Sequence, residues 1–389
     1  MTDTSKIDRL WRIGLPALLV ARLLMSLLLM ANVPRLMIHV GWYFYHGGDQ
    51  DTYYNLARAL ADNAPQATTV GIGMPLLMAG LLRLTHAPDY FGILPALVIL
   101  DGFVLGTLSV WVMAQLALAL TLSRAQALAA AALWTFSPYL LWVALGLHRE
   151  AEVLRNAYVP RQLWMNGLTD GPSLLLAMIG LWLVAARWRD GRARWMLLAG
   201  LCFGLGVTIR IHTMPIGAVA AVALLWNRRW KDAGWLILGG AVGFAPQMWY
   251  NALTMGGPLN TPYVSNWLRF GASGFKLNLR NTPFAPQYLL TNLWLLSRRN
   301  GLLAGAGAVA AAAAGWLFWQ CWRTRGSLIA LLTFGAPAAS FALHVLTYIF
   351  TTDPIRFSLP AISIGVPGAV WSAVALKDIA ARKLNSPKA

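Results

Sequence analysis

Apolar stretches long enough to cross roughly 30 Å of hydrocarbon recur along this 389-residue chain. They begin near Ile13, Tyr90, Ala125, Gly171, Trp195, Thr213, Ala233, Leu302, Ser327 and Phe357. A segment inside a bilayer has to satisfy its backbone N–H and C=O groups internally, and a helix does so within a single segment. The expected fold is therefore all-α: a polytopic membrane protein of about ten transmembrane helices, forming one domain over residues 1–389. Composition agrees, since 58% hydrophobic residues, 12% charged residues and a mean hydropathy of +0.56 exclude a disordered chain and an ordinary water-soluble domain. The first run, Ile13 to about Val40, follows a basic start (Lys6, Arg9, Arg12). It is far longer than a secretory core and has no obvious cleavage site, so it reads as a retained first helix.

The charge is lopsided, with 31 Lys plus Arg against 14 Asp plus Glu, a net +17. In a soluble chain this would suggest nucleic acid, a partner that the hydropathy argues against. The rule that basic residues stay on the cytoplasmic side groups Lys6/Arg9/Arg12, Arg124, Arg187/Arg189/Arg192/Arg194, Arg228/Arg229/Lys231, Arg323/Arg325 and Lys377/Arg382/Lys383/Lys388 on one face. That predicts a multi-pass protein of the cell inner (plasma) membrane, with both termini cytoplasmic. The long segments 41–90, 148–170 and 256–301, with the short turn 351–356, then fall on the outer face, where function is expected. Within 41–90, Asp51 to Asp62 and Met74 to Leu84 read as helices lying along the outer interface. The short helices Trp195 to Ile209 and Thr213 to Trp226 meet at Arg210-Ile-His212, which suggests a water-filled cavity opening outward. Residues 302–315 are nearly all small and suit close helix contact. Cys202 and Cys321 are too few for a disulfide framework or metal cluster.

Chemistry concentrates in Gly47-Gly-Asp49-Gln-Asp51-Thr-Tyr53-Tyr54, where two carboxylates and several aromatics follow the first helix. A carboxylate at a cavity rim can deprotonate a hydroxyl and aromatics can flank a sugar ring; alternatively Asp51 or Asp49 caps the next helix. The Asp-Gln-Asp pair also has the look of a weak metal site. Asp170, in Gly167-Leu-Thr-Asp-Gly-Pro172, is a second acid at the outer mouth of a helix, with a capping alternative of its own. Arg210 and His212 could hold a phosphate, the bland alternative being a snorkelling arginine. Asp101, a lone acid in an apolar run, and Arg22 on the first helix are further candidates, because a charge within a span is costly unless it faces a cavity or a partner. Arg356 lies in a turn with Asp353, either reaching a cavity or making a surface pair.

At these residues the chain resembles integral-membrane glycosyltransferases of the GT-C type, the superfamily of protein O-mannosyltransferases and the lipid A aminoarabinose transferase. Four motifs carry the likeness in order: Asp49-(x3)-Tyr53-(x3)-Ala57-Arg58; Gly73-Met-Pro-Leu-Leu-Met-Ala79; Leu168-Thr-Asp170; and Arg356-Phe-Ser-Leu-Pro360. Gly204 to Arg210 and Phe244 to Tyr263 add weaker matches. Gln50 stands where a second acid often follows, and Val70-Gly-Ile-Gly73 replaces a Lys-Pro-Pro or Arg-Pro-Pro. The missing cation would have to come from Arg210, Arg58 or Arg356.

The resemblance implies an inverting hexosyl- or pentosyltransferase of cell-envelope glycosylation. Its donor is a polyprenyl-phosphate sugar, and its acceptor is a lipid, glycan or protein on the outer, extracytoplasmic side. Asp49 would be the general base and Asp170 an orienting acid or the alternative base. Asp51, Tyr53, Tyr54, Arg58, Arg210, His212 and Arg356 would bind substrate. No cofactor is required, although a divalent metal (Mg or Mn) is compatible with the acids. The rival expectation is a transporter or flippase of an anionic lipid or sugar using the same cavity, against which stands the absence of a visible internal repeat.

Overall fold

The computed structural model describes residues 2–32, 49–68, 70–120, 122–144, 170–211, 213–260, 289, 294, 301–346 and 360–385. Every regular element among them is helical and none is a strand. In chain order they are α1 (Thr2–Asn32), α2 (Asp49–Ala61), α3 (Gly73–Thr85), α4 (Tyr90–Leu97), a π-helical stretch (Val98–Leu105) and α5 (Gly106–Ala119). Then come α6 (Arg124–Ala144), α7 (Asp170–Arg187), α8 (Ala193–Ile209), α9 (Thr213–Trp226), α10 (Trp230–Met255) and α11 (Gly301–Arg325). The last are α12 (Ser327–Ala330), a second π-helical stretch (Leu331–Gly335), α13 (Ala336–Val345) and α14 (Val366–Asn385).

The protein is an all-α polytopic membrane protein. Lys6–Leu27, Gly92–Ala119 and Asp170–Arg187 are long and apolar enough to cross a bilayer. Among the described residues these three meet the length and apolarity of a span, and Gly73–Thr85, Ala193–Ile209, Thr213–Trp226 and Ser327–Leu343 are shorter apolar helices. The first helix begins at Thr2 rather than Ile13, because its polar start continues the same helix beyond the apolar run. The helices expected along the interface appear as α2 and α3, 13 residues each. At 1.5 Å per residue such helices reach about 20 Å, too short to cross. Exposed Leu24, Val104, Val242 and Leu253, a liability in water, are the expected surface toward lipid tails.

The tightest packing joins α8 to α10 through facing glycines four residues apart. A Cβ added at Gly200 would lie 2.0 Å from the Leu236 carbonyl oxygen, and one at Gly204 would lie 2.2 Å from that of Gly240. From the other side, a Cβ at Gly239 would meet the Leu197 oxygen at 2.1 Å and one at Gly243 the Leu201 oxygen at 2.5 Å. Backbones come this close only where both helices present hydrogen in place of a side chain. Without a hydrophobic force between lipid-solvated helices, such van der Waals contact holds them together. The small-residue run does not play this part over its described side chains: Ala312, Ala313, Ala314 and Gly315 are exposed, and a Cβ at Gly315 would meet nothing within 4 Å. A glycine ridge packs only when it faces another ridge, and α8 and α10 supply both sides.

The basic clusters gather at one end of the bundle. Arg124, opening α6, pairs with Asp8 near the start of α1. Arg187, Arg189 and Arg325 line one cavity with Gln115 near the end of α5. Arg229 holds Asp232 at 2.6 Å, and Trp226 meets Trp322 edge-on with ring centroids 5.6 Å apart. The opposite ends of α7 and α8 carry Asp170 and Arg210.

Candidate active site

Two helices of nearly equal length explain how residues far apart in sequence meet. α7 has 18 residues and α8 has 17. At 1.5 Å per residue they span roughly 26 Å each, so the chain that leaves Asp170 down α7 returns along α8 to the same level. There Arg210 donates from Nη1 to Asp170 Oδ1 across 40 positions of sequence. The Asp170 side chain is 1% exposed and that of Arg210 10%, so the pair is shielded from water and its attraction is weakly screened.

Helix geometry favours both charges. Asp170 stands in the first turn of α7, at the positive end of that helix, and Arg210 follows the last turn of α8, at the negative end. Each location stabilises its charge by about 0.3–1 kcal/mol at an exposed site, and by more where partly buried. Arg210 leaves the helix with φ −153 and ψ 130 while its N–H still donates to Gly206 O. The side chain is thereby aimed from a stub of extended chain between α8 and α9. A snorkelling arginine would reach for water; this one is buried and ion-paired. The Ser173 hydroxyl donates to the Asp170 carbonyl at 3.1 Å, which closes the first turn of α7.

α2 and α3 cover this end. Tyr53, Tyr54, Leu56 and Ala57 are buried, and Tyr54 meets Tyr90 of α4 edge-on with centroids 5.6 Å apart. Arg58 lies on the exposed face of α2. Asp49 and Asp51 are the first and third residues of α2, and their side chains lie outside what the structure describes, as do His212 and the whole segment carrying Arg356 and Asp353. The Val70-Gly-Ile-Gly73 stretch that departs from the expected motif has a packing reason. A Cβ at Gly71 would lie 2.2 Å from Thr208 O, and one at Gly73 would lie 2.5 Å from the Ile209 side chain. The entry to α3 thus presses on the last turn of α8, immediately before Arg210.

A polar network from α10 fixes that entry. Gln247 Oε1 accepts from the Ile72 N–H at 2.8 Å, while its Nε2 donates to Asn251 Oδ1 at 2.7 Å. Asn251 Nδ2 donates to the Pro258 carbonyl at 3.3 Å. The Tyr250 hydroxyl donates to Gln66 O at 2.5 Å, and the Gln66 N–H donates back to it at 3.1 Å. Motif and charge patterns do not single out Gln247, Tyr250 and Asn251. The signal that could have found them is spacing: polar side chains three and four residues apart mark one helix face.

Arg22 and Asp101 fall deeper in the bundle. Arg22 is buried on α1 and donates from Nη1 to Thr135 O at 3.2 Å. Asp101 is buried within the first π-helical stretch, where its own carbonyl accepts from the Gly106 N–H, and no hydrogen-bond partner reaches its Oδ1 among the described residues. A separate apolar groove of about 850 Å³ runs between α6, α11, α13 and the start of α14, with Leu133, Leu317, Phe334, Phe341, Ile362 and Val366 in its walls. Among the described residues no group of three or more His, Cys, Asp or Glu side chains could hold a metal ion.

Fold and site define a class: a helical membrane protein with a buried acid–arginine pair at the mouth of a helical hairpin, covered by two short helices. Residues 150–250 match the family model described as dolichyl-phosphate-mannose-protein mannosyltransferase, a glycosyltransferase family of the GT-C type. The matched stretch contains α7, α8, α9 and most of α10, and with them the glycine seam, Asp170 and Arg210. No individual protein with a curated description matches the chain.

Proposed function

We propose that the protein transfers a glycosyl group from a polyprenyl-phosphate donor to an acceptor hydroxyl or amine at the membrane face where Asp170 and Arg210 lie. The observation that carries this reading is the buried Asp170–Arg210 pair, seated in the stretch that matches the mannosyltransferase family. Asp49, opening α2 above it, takes the acceptor proton. The acceptor atom forms the new bond to the anomeric carbon as the bond from that carbon to the phosphate oxygen breaks, which inverts the centre. The lipid phosphate leaves with the electron pair.

Arg210 stabilises charge on that phosphate. A guanidinium has five N–H donors in a planar fork, so holding Asp170 and meeting a phosphate oxygen are compatible. Asp170 sets the plane of the fork before substrate arrives, and a donor that needs no reorganisation is the more effective one. Tyr53 and Tyr54, both buried, pack α2 in place. The apolar groove suits an isoprenoid tail in size and chemistry.

The test uses the purified full chain in lipid with labelled polyprenyl-phosphate sugars and a set of lipid, glycan and peptide acceptors. Product from the wild type, with Asp49→Asn and Arg210→Gln each lowering the rate at least about 100-fold, supports the reading. An Asp49→Asn variant that keeps the wild-type rate removes Asp49 as base. Labelled lipid that crosses vesicles without any product identifies a transporter.

A further inference from the structure

The end of the bundle opposite Asp170 holds a cationic cavity, of about 440 Å³, that glycosyl transfer does not use. Arg187 from the last turn of α7, Arg189 from the turn after it and Arg325 from the end of α11 line it with Gln115, Trp182 and Trp188. Arg187 is partly occupied: it reaches Asp190 at 3.3 Å and lies over the Trp195 ring at 5.2 Å. Arg189 lies over Trp188 at 5.0 Å. Neither Arg189 nor Arg325 has a carboxylate partner among the described residues. Three helix C-termini, those of α5, α7 and α11, also end here, each with about half a negative charge, which together fall short of three guanidinium groups.

We infer that this cavity binds the phosphate headgroup of an anionic phospholipid. Its depth selects a membrane lipid over a free anion. It lies at the end of the membrane-crossing helix α7, about 26 Å by helix rise from Asp170, which is the level of the opposite headgroup layer. Indole rings at that level suit the polar–apolar boundary. Leu118 and Ile329 in the same wall offer apolar surface to the glycerol and first methylenes, which free phosphate cannot use. The site draws together the ends of α5, α7 and α11, so an occupant bridges helices that are distant in sequence.

Native mass spectrometry of the full chain in detergent tests this, with phosphatidylglycerol against phosphatidylcholine as probes and inorganic phosphate as a third arm. Each guanidinium near a headgroup is worth about fivefold in affinity, so the wild type should prefer phosphatidylglycerol by roughly 30-fold. Arg189→Gln and Arg325→Gln should each reduce that preference about fivefold, and the double variant should abolish it. Arg323→Gln, a neighbouring exposed arginine outside the cavity, should leave it intact. Equal retention of both lipids, or a preference that survives in the single and double variants, overturns the inference. So does millimolar inorganic phosphate that displaces phosphatidylglycerol or raises the melting temperature equally, since the site would then take free anions.

Discussion

Removing one member of a buried ion pair leaves the other desolvated and uncompensated, which typically costs about 3–5 kcal/mol. We therefore expect Arg210→Gln or Asp170→Ala alone to lower the stability of the protein in detergent by roughly that amount, read as a fall in melting temperature. Replacing both together with leucine should recover most of the loss, because two apolar side chains need no partners, while transfer stays abolished. Stability and activity then separate, showing that the pair serves chemistry more than folding. Asp101 gives the opposite expectation. Its Oδ1 finds no partner among the described residues and it is 1% exposed, so Asp101→Leu removes an unsatisfied polar group and should raise stability by about 1–3 kcal/mol. An unchanged or lowered melting temperature would mean that the carboxyl is held by contacts essential to the bundle. Asp170 and Arg210 are each legible in the sequence, one as an acid at a helix mouth and the other as a cation at a junction. Their partnership is not, because it depends on two helices returning the chain to the same level, and residue type carries no such information.

The seam between α8 and α10 shows how an element is placed by what it lacks. Gly200→Ala sets a methyl carbon 2.0 Å from a backbone oxygen that cannot rotate away, so the helices must part. We expect a loss of at least about 2 kcal/mol, with the mouth at Arg210 disturbed because it ends the same helix. Gly234→Ala on α10 meets nothing within 4 Å and should raise stability by about 0.5–1 kcal/mol through helix propensity alone. Thermal unfolding of the two variants side by side separates packing from propensity. Helix existence, including the short α2 and α3, is readable from hydropathy and length. The seam is harder to see, since the alanine-rich run in α11 is the more conspicuous small-residue pattern yet exposes its described side chains. Density of small residues is visible in sequence; the facing partner is not. The same limit hides Gln247, whose oxygen accepts the Ile72 N–H: Gln247→Leu should cost about 1–3 kcal/mol by orphaning a buried donor.

At the scale of the whole molecule, the described residues give the two ends different charge. One end gathers Arg124, Arg187, Arg189, Arg229 and Arg325, while the other carries the Asp170–Arg210 pair beneath α2 and α3. Moving guanidinium groups across hydrocarbon is expensive, so the end crowded with short, basic turns should stay where the chain was made. This orientation has a direct test. With Cys202 and Cys321 replaced by serine, a single cysteine at Gly191, in the basic turn, should react with a membrane-impermeant maleimide only after the membrane is opened. One at Asn260, beyond the far end of α10, should react in intact cells. The reverse pattern would put Asp170 and Arg210 on the cytoplasmic side and require a donor whose sugar faces inward. It would leave the hairpin geometry, the seam and the pair unchanged, because these follow from helix length and glycine spacing and are indifferent to which face of the membrane they meet.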